Sequence, residues 1–521
     1  MIKILKMKAI TCFVFYFLGL ASVDAQVAYK EAVKFADDIK TENLKKNLSI
    51  IAGAEMEGRE TGTPGQARAA GFIADYYKQI GLQPGNNGSY FQYYPLIKDS
   101  VAESTLQING KAFKYGEDYT LPASINSNGT IQSDLEVVWG GYGISDSAYN
   151  DLKDVVAKGK ALLVLTGEPQ MEDKTYLFTH TKRPSRWSSL SAGVKLKAQA
   201  AAKLEAKVLF IIDTNFIWKN KFISPIRLVP DAKDSISMNV YIISKEMAKV
   251  IAGSNYDRLV GSAGKIHPAG FHALISLFTS QQVSHKNIQA SNVMAYLPGT
   301  DRKDELLIIS AHYDHLGVRN GKIFYGADDN GSGTVAVLEM AREFAAAKAA
   351  GHGPRRSVLF MNVSGEEEGL WGSDYYTTHP VYPLVNTIAD LNTDMIGRID
   401  PLHENDPNYL YIIGDDKLSS VLRLVNEGNN KAYVNLNLDY KYNAPNDAEK
   451  IYYRSDHYNF AKNRIPIIFF FDGIHADYHQ PSDTADKINY ELMAKRMKLV
   501  FYDAWSITNR YERLPVDRNE K

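Results

Sequence analysis

Five short segments in the C-terminal half of this 521-residue chain concentrate histidine and carboxylate side chains. They are Ser310–Gly317 (SAHYDHLG), Gly326–Gly333 (GADDNGSG), Ser364–Ser373 (SGEEEGLWGS), Asn392–Gly397 (NTDMIG) and Asp477–Thr484 (DYHQPSDT). Imidazole nitrogens and carboxylate oxygens are the donors that zinc-like divalent cations accept. If the segments meet, they bring two histidines and three carboxylates to one point. That set suits a pair of ions sharing one carboxylate.

Taken singly, each segment also has a bland reading. His312 is a possible ligand whose other ring nitrogen Asp314 could hold. His315 is adjacent, but alternation along an extended segment turns it elsewhere. In Asp328-Asp329-Asn330, between Gly326 and Gly331 and ahead of a helix, an aspartate could simply cap the helix. A carboxylate at that bend could equally bridge two ions, and different residues of the segment can do each job. Glu366-Glu367-Glu368 places three adjacent acids at a strand's end, where they repel one another unless cations offset them. One glutamate could bind metal while a neighbour takes a proton from an attacking water. Asp394 alone reads as a turn residue and His479 alone as a structural histidine. Their joint occurrence, strand by strand, is what points to one site. One carboxylate from each of three segments, set against two divalent ions, leaves one net positive charge and favours an anionic nucleophile. A single ion would leave a net negative charge.

Elements of one type must deliver these residues. Leu306–Ile309, Val358–Val363, Ile388–Leu391 and Ile467–Phe471 are short, nearly continuous apolar runs. Such runs fit strands buried on both faces of a mostly parallel sheet. Gly333–Lys348 carries Val335, Leu338, Ala341 and Phe344 on one stripe and reads as a covering helix. Open α/β sheets bind ligands beyond the carboxyl ends of their strands, which is where the five segments fall. Upstream, Glu57–Gly65 is a glycine-rich loop, with Pro64 in the first turn of a helix that Gly81 stops. From Val101 to His285 the texture changes to short β-like runs, Leu135–Trp139, Ala161–Thr166, Val208–Ile212 and Met238–Ile243, around an alanine-rich helix at Leu190–Ala206. None of these runs ends in a ligand cluster, so this stretch reads as an inserted β-rich module.

The composition, 45% hydrophobic and 23% charged, is that of a globular chain with room for more than one domain. A net charge of -1 gives no field that would draw nucleic acid or an anionic membrane. Lys3, Lys6 and Lys8 precede an apolar run, Ala9–Ala21, and a small residue at Ala25. This pattern predicts a secretory signal peptide cut near Ala25 and a periplasmic or extracellular location. The run is too short to favour a membrane span. It holds the only cysteine, Cys12, so the exported chain would have neither thiol nor disulfide.

With these motifs the chain resembles the M28 family of co-catalytic zinc peptidases, the aminopeptidase group, through most of Asn292–Ile488. The resemblance implies two zinc ions: His312 and Asp394 on one, Glu367 and His479 on the other, and Asp329 bridging. It implies Glu366 as general base, Tyr478 as a hydroxyl that stabilises an oxyanion, and Asp314 as partner of His312. It also implies a cis peptide at Asp329–Asn330. Ser455-Asp456-His457 looks like a further family landmark, with Asp456 supporting the site. Val137–Gly143 and Gly159–Leu165 make the insert similar to a protease-associated (PA) domain. The expected fold is α/β: a mostly parallel mixed sheet covered by helices, zinc-aminopeptidase-like, with a PA-like inserted domain. The expected layout is 1–25 signal peptide, 26–110 N-terminal part of the peptidase domain, 111–280 insert and 281–515 main domain. The expected partners are peptides, and oligomeric state is not readable. Three rivals remain at this level. A glutaminyl-cyclase-like transferase would use one zinc and leave His312 superfluous. A dipeptidase or carboxypeptidase would need basic residues for a free carboxylate, for which Arg398 and Arg454 are candidates. A metal-free binding scaffold would typically have lost ligands.

Overall fold

The computed structural model describes residues 30–189, 192–216, 226–229, 236, 238–264 and 270–519. The segment read as a signal peptide, 1–25, lies outside the described residues, as does Leu190 at the start of the alanine-rich run. The chain divides into two compact units. One runs to Tyr94 and resumes at Gln289; the other is Pro95–Ile288.

In the first unit we label helices α1 (Thr41–Ile51) and α2 (Pro64–Gln79), then strand β1 (His272–Leu297, of which the C-terminal part belongs here) and β2 (Arg302–His312). Next come α3 (Gly333–Ala349), β3 (Arg356–Val363), α4 (Trp371–Thr378), β4 (Thr387–Thr393), β5 (Tyr409–Ile413), β6 (Asn437–Asp439), β7 (Ile467–Phe471) and α5 (Tyr490–Asn509). The strand order is β6-β5-β7-β4-β2-β3-β1. Strands β7, β4, β2 and β3 are neighbours and parallel. The outer pairs β5·β7 and β1·β3 are antiparallel.

The apolar runs form these strands because both faces are covered. Leu307, Ile309 and Ala311 of β2, with Phe360, Leu391 and Phe470, join a core that also holds Val335, Leu338 and Phe344 of α3 and Met497 and Phe501 of α5. The alternate residues Leu306, Ile308, Leu359, Met361, Ile467 and Phe469 face a second core with Tyr376 and Phe460. Helix α2 starts as its sequence dictates: Thr63 Oγ1 accepts from Gln66 N, and Pro64 occupies the first turn.

The second unit carries parallel strands at Ala161–Leu165, Val208–Asp213 and Asn239–Ser244, joined by Gly129–Trp139. The N-terminal part of β1 pairs antiparallel with Gly129–Trp139. The described part of the alanine-rich helix is Ala192–Lys203. Apolar clusters cover the two faces of this sheet. Among the described residues, no helix is long and apolar enough to cross a membrane.

Candidate metal centre

Chain direction at β2 sets the site. The chain leaves β2 for β3 on one side, then crosses to β4 on the other, so loops diverge at the carboxyl ends of these strands and open a crevice. His312 is the last residue of β2, Asp394 follows β4 directly, and Glu366 and Glu367 lie just past β3. Asp329 sits in the bend before α3, and His479 in the loop beyond β7.

These residues converge as two clusters with one shared member. His312 Nε2 lies 3.4 Å from Asp329 Oδ1 and 3.3 Å from Asp394 Oδ1. His479 Nε2 lies 3.0 Å from Asp329 Oδ2 and 3.1 Å from Glu367 Oε2. The two oxygens of Asp329 therefore face different clusters. Donors about 2.0–2.2 Å from a tetrahedral zinc stand roughly 3.4 Å apart, which matches this spacing. Glu366 Oε2 is farther off, 3.9 Å from His312 Nε2. The Asp329–Asn330 peptide is cis. Asn330, rather than either aspartate, does the capping: its Oδ1 accepts from Gly333 N at 2.9 Å.

A buried polar frame holds these side chains. Asp314 accepts from Thr61 Oγ1 (2.8 Å) and from Glu366 N (3.3 Å). His312 Nδ1 lies closer to the Asp314 carbonyl (3.2 Å) than to its carboxylate (3.6 Å). Asp483 Oδ2 accepts from the backbone N–H of both Asp328 and Asp329, at 3.0 and 3.1 Å. Ser455 Oγ donates to Asp394 Oδ2 at 2.6 Å. Arg59, fully buried, donates to the carbonyls of Tyr313, Ile51, Tyr325 and Gly326, and so joins the loops carrying His312 and Asp329. Gly58 lets this segment approach: a Cβ there would lie 2.5 Å from both the Gly317 and Phe324 carbonyl oxygens, at φ +65.

So many acids together move their protonation. Burial, with Asp394 and Glu367 nearby, pushes the Glu366 carboxyl well above the usual range, against the opposing pull of His312. Burial alone would lower His479, but Glu367 and Asp329 raise it to about 10. Burial and Asp329 push Glu367 up, yet His479 and His315 outweigh them and hold it low. The Tyr478 phenol is raised, first by burial and then by Asp329 and Glu367, so it keeps its proton.

Two expectations need correction or refinement. His315 does not turn away. The chain past β2 is not extended strand, so alternation does not apply, and the ring is buried with Nδ1 2.7 Å from Glu367 Oε1. Asp456 accepts from Ser373 Oγ at 2.5 Å, and it is its neighbour Ser455 that touches Asp394. Of the two basic candidates, Arg398 is engaged by Asp477 at 2.8 Å. Arg454 lines a pocket with Asp329, Glu366 and Asp394, and its Nη2 donates to Tyr478 Oη at 3.2 Å. Met395, Ile451, Phe469, Phe471 and Ile474 form the apolar wall of that pocket.

The donor set fits divalent cations on an internal criterion. Glu367 Oε1 and both ring nitrogens of His315 are buried without a hydrogen-bond partner, and Nδ1 is the ring nitrogen that lies beside Glu367, so a carboxylate oxygen and one imidazole lone pair are available to a cation.

A mostly parallel α/β sheet whose strand ends gather such donors has the fold of the zinc aminopeptidases. The zinc aminopeptidase BSAP from Bacillus subtilis aligns over 93% of this chain and 98% of its own, with a TM-score of 0.55 at 19% identity. Residues 292–503 match the model of peptidase family M28, and the chain belongs to that family. YfbL of Escherichia coli, an uncharacterized protein, is 31% identical over 267 residues, 47% of this chain and 79% of its own length. A probable leucine aminopeptidase of Arthroderma otae is 28% identical over 234 residues, 44% of this chain; the chain spans 60% of that relative's length.

Proposed function

We propose that the protein is an exported zinc-dependent exopeptidase that removes residues from the N-termini of peptides. The observation that carries this reading is the placement of Asp329, one carboxylate oxygen facing His312 and Asp394, the other facing Glu367 and His479. His312 and Asp394 would hold one zinc, Glu367 and His479 the other, and Asp329 would be shared. When bound, the pair would supply Lewis-acid polarisation of the scissile carbonyl and acidify the attacking water.

The chain's own groups supply the rest. Glu366 stands outside both donor clusters with a raised affinity for protons. It takes the proton of the attacking water and passes it to the leaving amine. Tyr478 keeps its phenolic proton and donates a hydrogen bond to the oxygen that becomes negative. Met395, Ile451, Phe469, Phe471 and Ile474 offer an apolar wall to a substrate side chain and exclude water from it. A free substrate α-amine at the end of the site gives exopeptidase action. Two parts of the reading stand on sequence pattern: export on residues 1–25, and assignment of the second unit as a PA-like insert on Val137–Gly143 and Gly159–Leu165.

One observation favours a second reading. Arg454 on the pocket lining is the basic group that a free substrate carboxylate would need in a dipeptidase or carboxypeptidase. Turnover of peptides with free or acetylated N-termini, and free or amidated C-termini, separates the two. The aminopeptidase reading expects cleavage to need the free amine, to tolerate C-terminal amidation, to stop with chelator and to return with zinc. Cleavage of acetylated peptides that needs the free carboxylate would overturn it.

A further inference from the structure

We propose that His315 is itself a metal ligand, so that the second position of the centre is built from two imidazoles and two carboxylates, His315, His479, Glu367 and Asp329. The inference rests on the reading of a two-ion centre. It departs from the ligand set that the resemblance implies, in which each ion takes one histidine.

His315 is nearly inaccessible, at 1% exposure. Its Nδ1 stands 2.7 Å from Glu367 Oε1 and 3.9 Å from Asp329 Oδ2, and the three donor atoms lie within 4.8 Å of one another. The short approach to Glu367 is misdirected for a hydrogen bond: Oε1 and both ring nitrogens are left without one. A buried imidazole and a buried carboxylate oxygen in that condition are costly unless an acceptor of both lone pairs sits beside them, with the donors parting from 2.7 Å toward the roughly 3.4 Å spacing of tetrahedral ligands. A cation does so. The neighbouring histidine fits the same ion. A ring bound through nitrogen has its centroid about 3.2 Å from the metal, so two imidazoles on one ion hold their centroids roughly 5–6 Å apart. The rings of His315 and His479 are 5.9 Å apart at 70°.

The fold fixes His315 in this pose. Its backbone N–H donates to Arg59 O at 3.3 Å. Its ring lies flush on Gly326, where a Cβ would fall 2.4 Å from the ring Cγ and 2.2 Å from Asp329 O, at φ +55. A side chain at 326 would push the ring off the centre.

The two positions are then unequal. One offers a single imidazole with Asp394 and Asp329; the other offers two imidazoles with Glu367 and Asp329. The nitrogen-rich position prefers Zn²⁺, Co²⁺ and Ni²⁺ over Mg²⁺ and Mn²⁺, fills first and empties last.

Cobalt(II) is the probe. In the Co²⁺-loaded full chain, proton NMR counts metal-bound imidazoles by their strongly shifted, exchangeable ring N–H signals. Three are expected in the wild type and two in His315→Gln. Calorimetric titration is expected to show the tighter of two binding events weakened at least tenfold in His315→Gln and His315→Ala, with the weaker event unchanged, and partial recovery of His315→Ala by added imidazole. Two shifted signals in the wild type, a measurement that needs no variant, would overturn the proposal and leave His315 as a group that only orients Glu367. Unchanged affinities in a folded His315→Gln would do the same. A wild type binding fewer than two cobalt ions would instead overturn the two-ion reading itself.

Discussion

The Ser455 hydroxyl donates to Asp394 Oδ2 at 2.6 Å, and Ser455 Oγ in turn accepts from Asn392 Nδ2 at 2.9 Å. Asn392 stands opposite Ser310 in the parallel pairing of β4 with β2, and Ser310 Oγ lies 3.1 Å from Asn392 Oδ1 and 2.7 Å from Asp390 Oδ1. A chain of buried hydrogen bonds thus runs from the interior of the sheet to Asp394. Ser455→Ala breaks it at the last link and frees the carboxylate to rotate. Orienting partners of metal ligands are worth about 10–100-fold in metal affinity or activity. We expect a loss of that size at the position holding Asp394, measured by zinc titration, with the folded state retained. Unchanged zinc affinity would remove Ser455 from this role.

How much of this was legible in the sequence depends on the physics of each signal. Ile467–Phe471 could be bounded because a strand covered on both faces must be apolar throughout, and polar residues mark where cover ends. The ligands were legible because histidines and acids just past such runs are conspicuous. Arg59 was not: one arginine in a glycine-rich loop carries no periodic signal, and its role appears only when four carbonyls from three segments, two of them distant in sequence, surround it. Asp483 and Ser455 hold ligands through contacts that no local spacing encodes. His315 escapes strand alternation because β2 ends at His312.

Glu366→Gln isolates the proton-transfer role. The side chain keeps its size and stays outside both donor clusters, so metal content should be unchanged. General acid–base catalysis contributes about 10²–10⁴-fold. Peptide turnover should fall by that factor while zinc stoichiometry remains that of the wild type. Wild-type turnover at full metal content would exclude Glu366 as the base.

Asp329→Asn tests sharing. Each carboxylate oxygen faces a separate cluster; an amide leaves one face with an N–H₂ group that cannot act as a ligand and the other with an uncharged carbonyl oxygen, a weaker ligand than a carboxylate. Metal analysis should show reduced occupancy of both positions. Loss of only one ion would argue that Asp329 serves a single site.

Arg59→Met should damage the frame rather than the donors. The guanidinium makes four hydrogen bonds to carbonyls, at 2.6–2.9 Å, from a fully buried position. Burial lowers its pKa to about 10, so it remains charged at neutral pH and forms charge-assisted bonds. Stranding several buried acceptors costs on the order of 3–5 kcal/mol in total. Urea denaturation should register that loss, and Arg59→Lys should recover only part of it, because an ammonium cannot reproduce the planar fork. A difference below about 1 kcal/mol between Arg59→Met and wild type would mean that water satisfies these carbonyls.

The second unit supplies a pH test independent of the centre. Lys197 is fully buried, with Nζ donating to the carbonyls of Tyr142 and Gly167. Burial lowers its pKa to about 7, against the opposing pull of Asp151 and Glu168. The sign follows from proton binding: between pH 7 and 10.5 the unfolded chain holds this proton and the folded chain does not. Stability therefore rises with pH across that window, by at most about 1.4 kcal/mol per pH unit, and the burial penalty is fully expressed below pH 7. Lys197→Met keeps most of the volume and removes the titration. The difference in unfolding free energy, wild type minus variant, should climb between pH 7 and pH 10 and be flat below pH 6. A difference flat across the whole range would show that Lys197 stays charged in the fold, stabilised by its two carbonyl acceptors and the nearby acids.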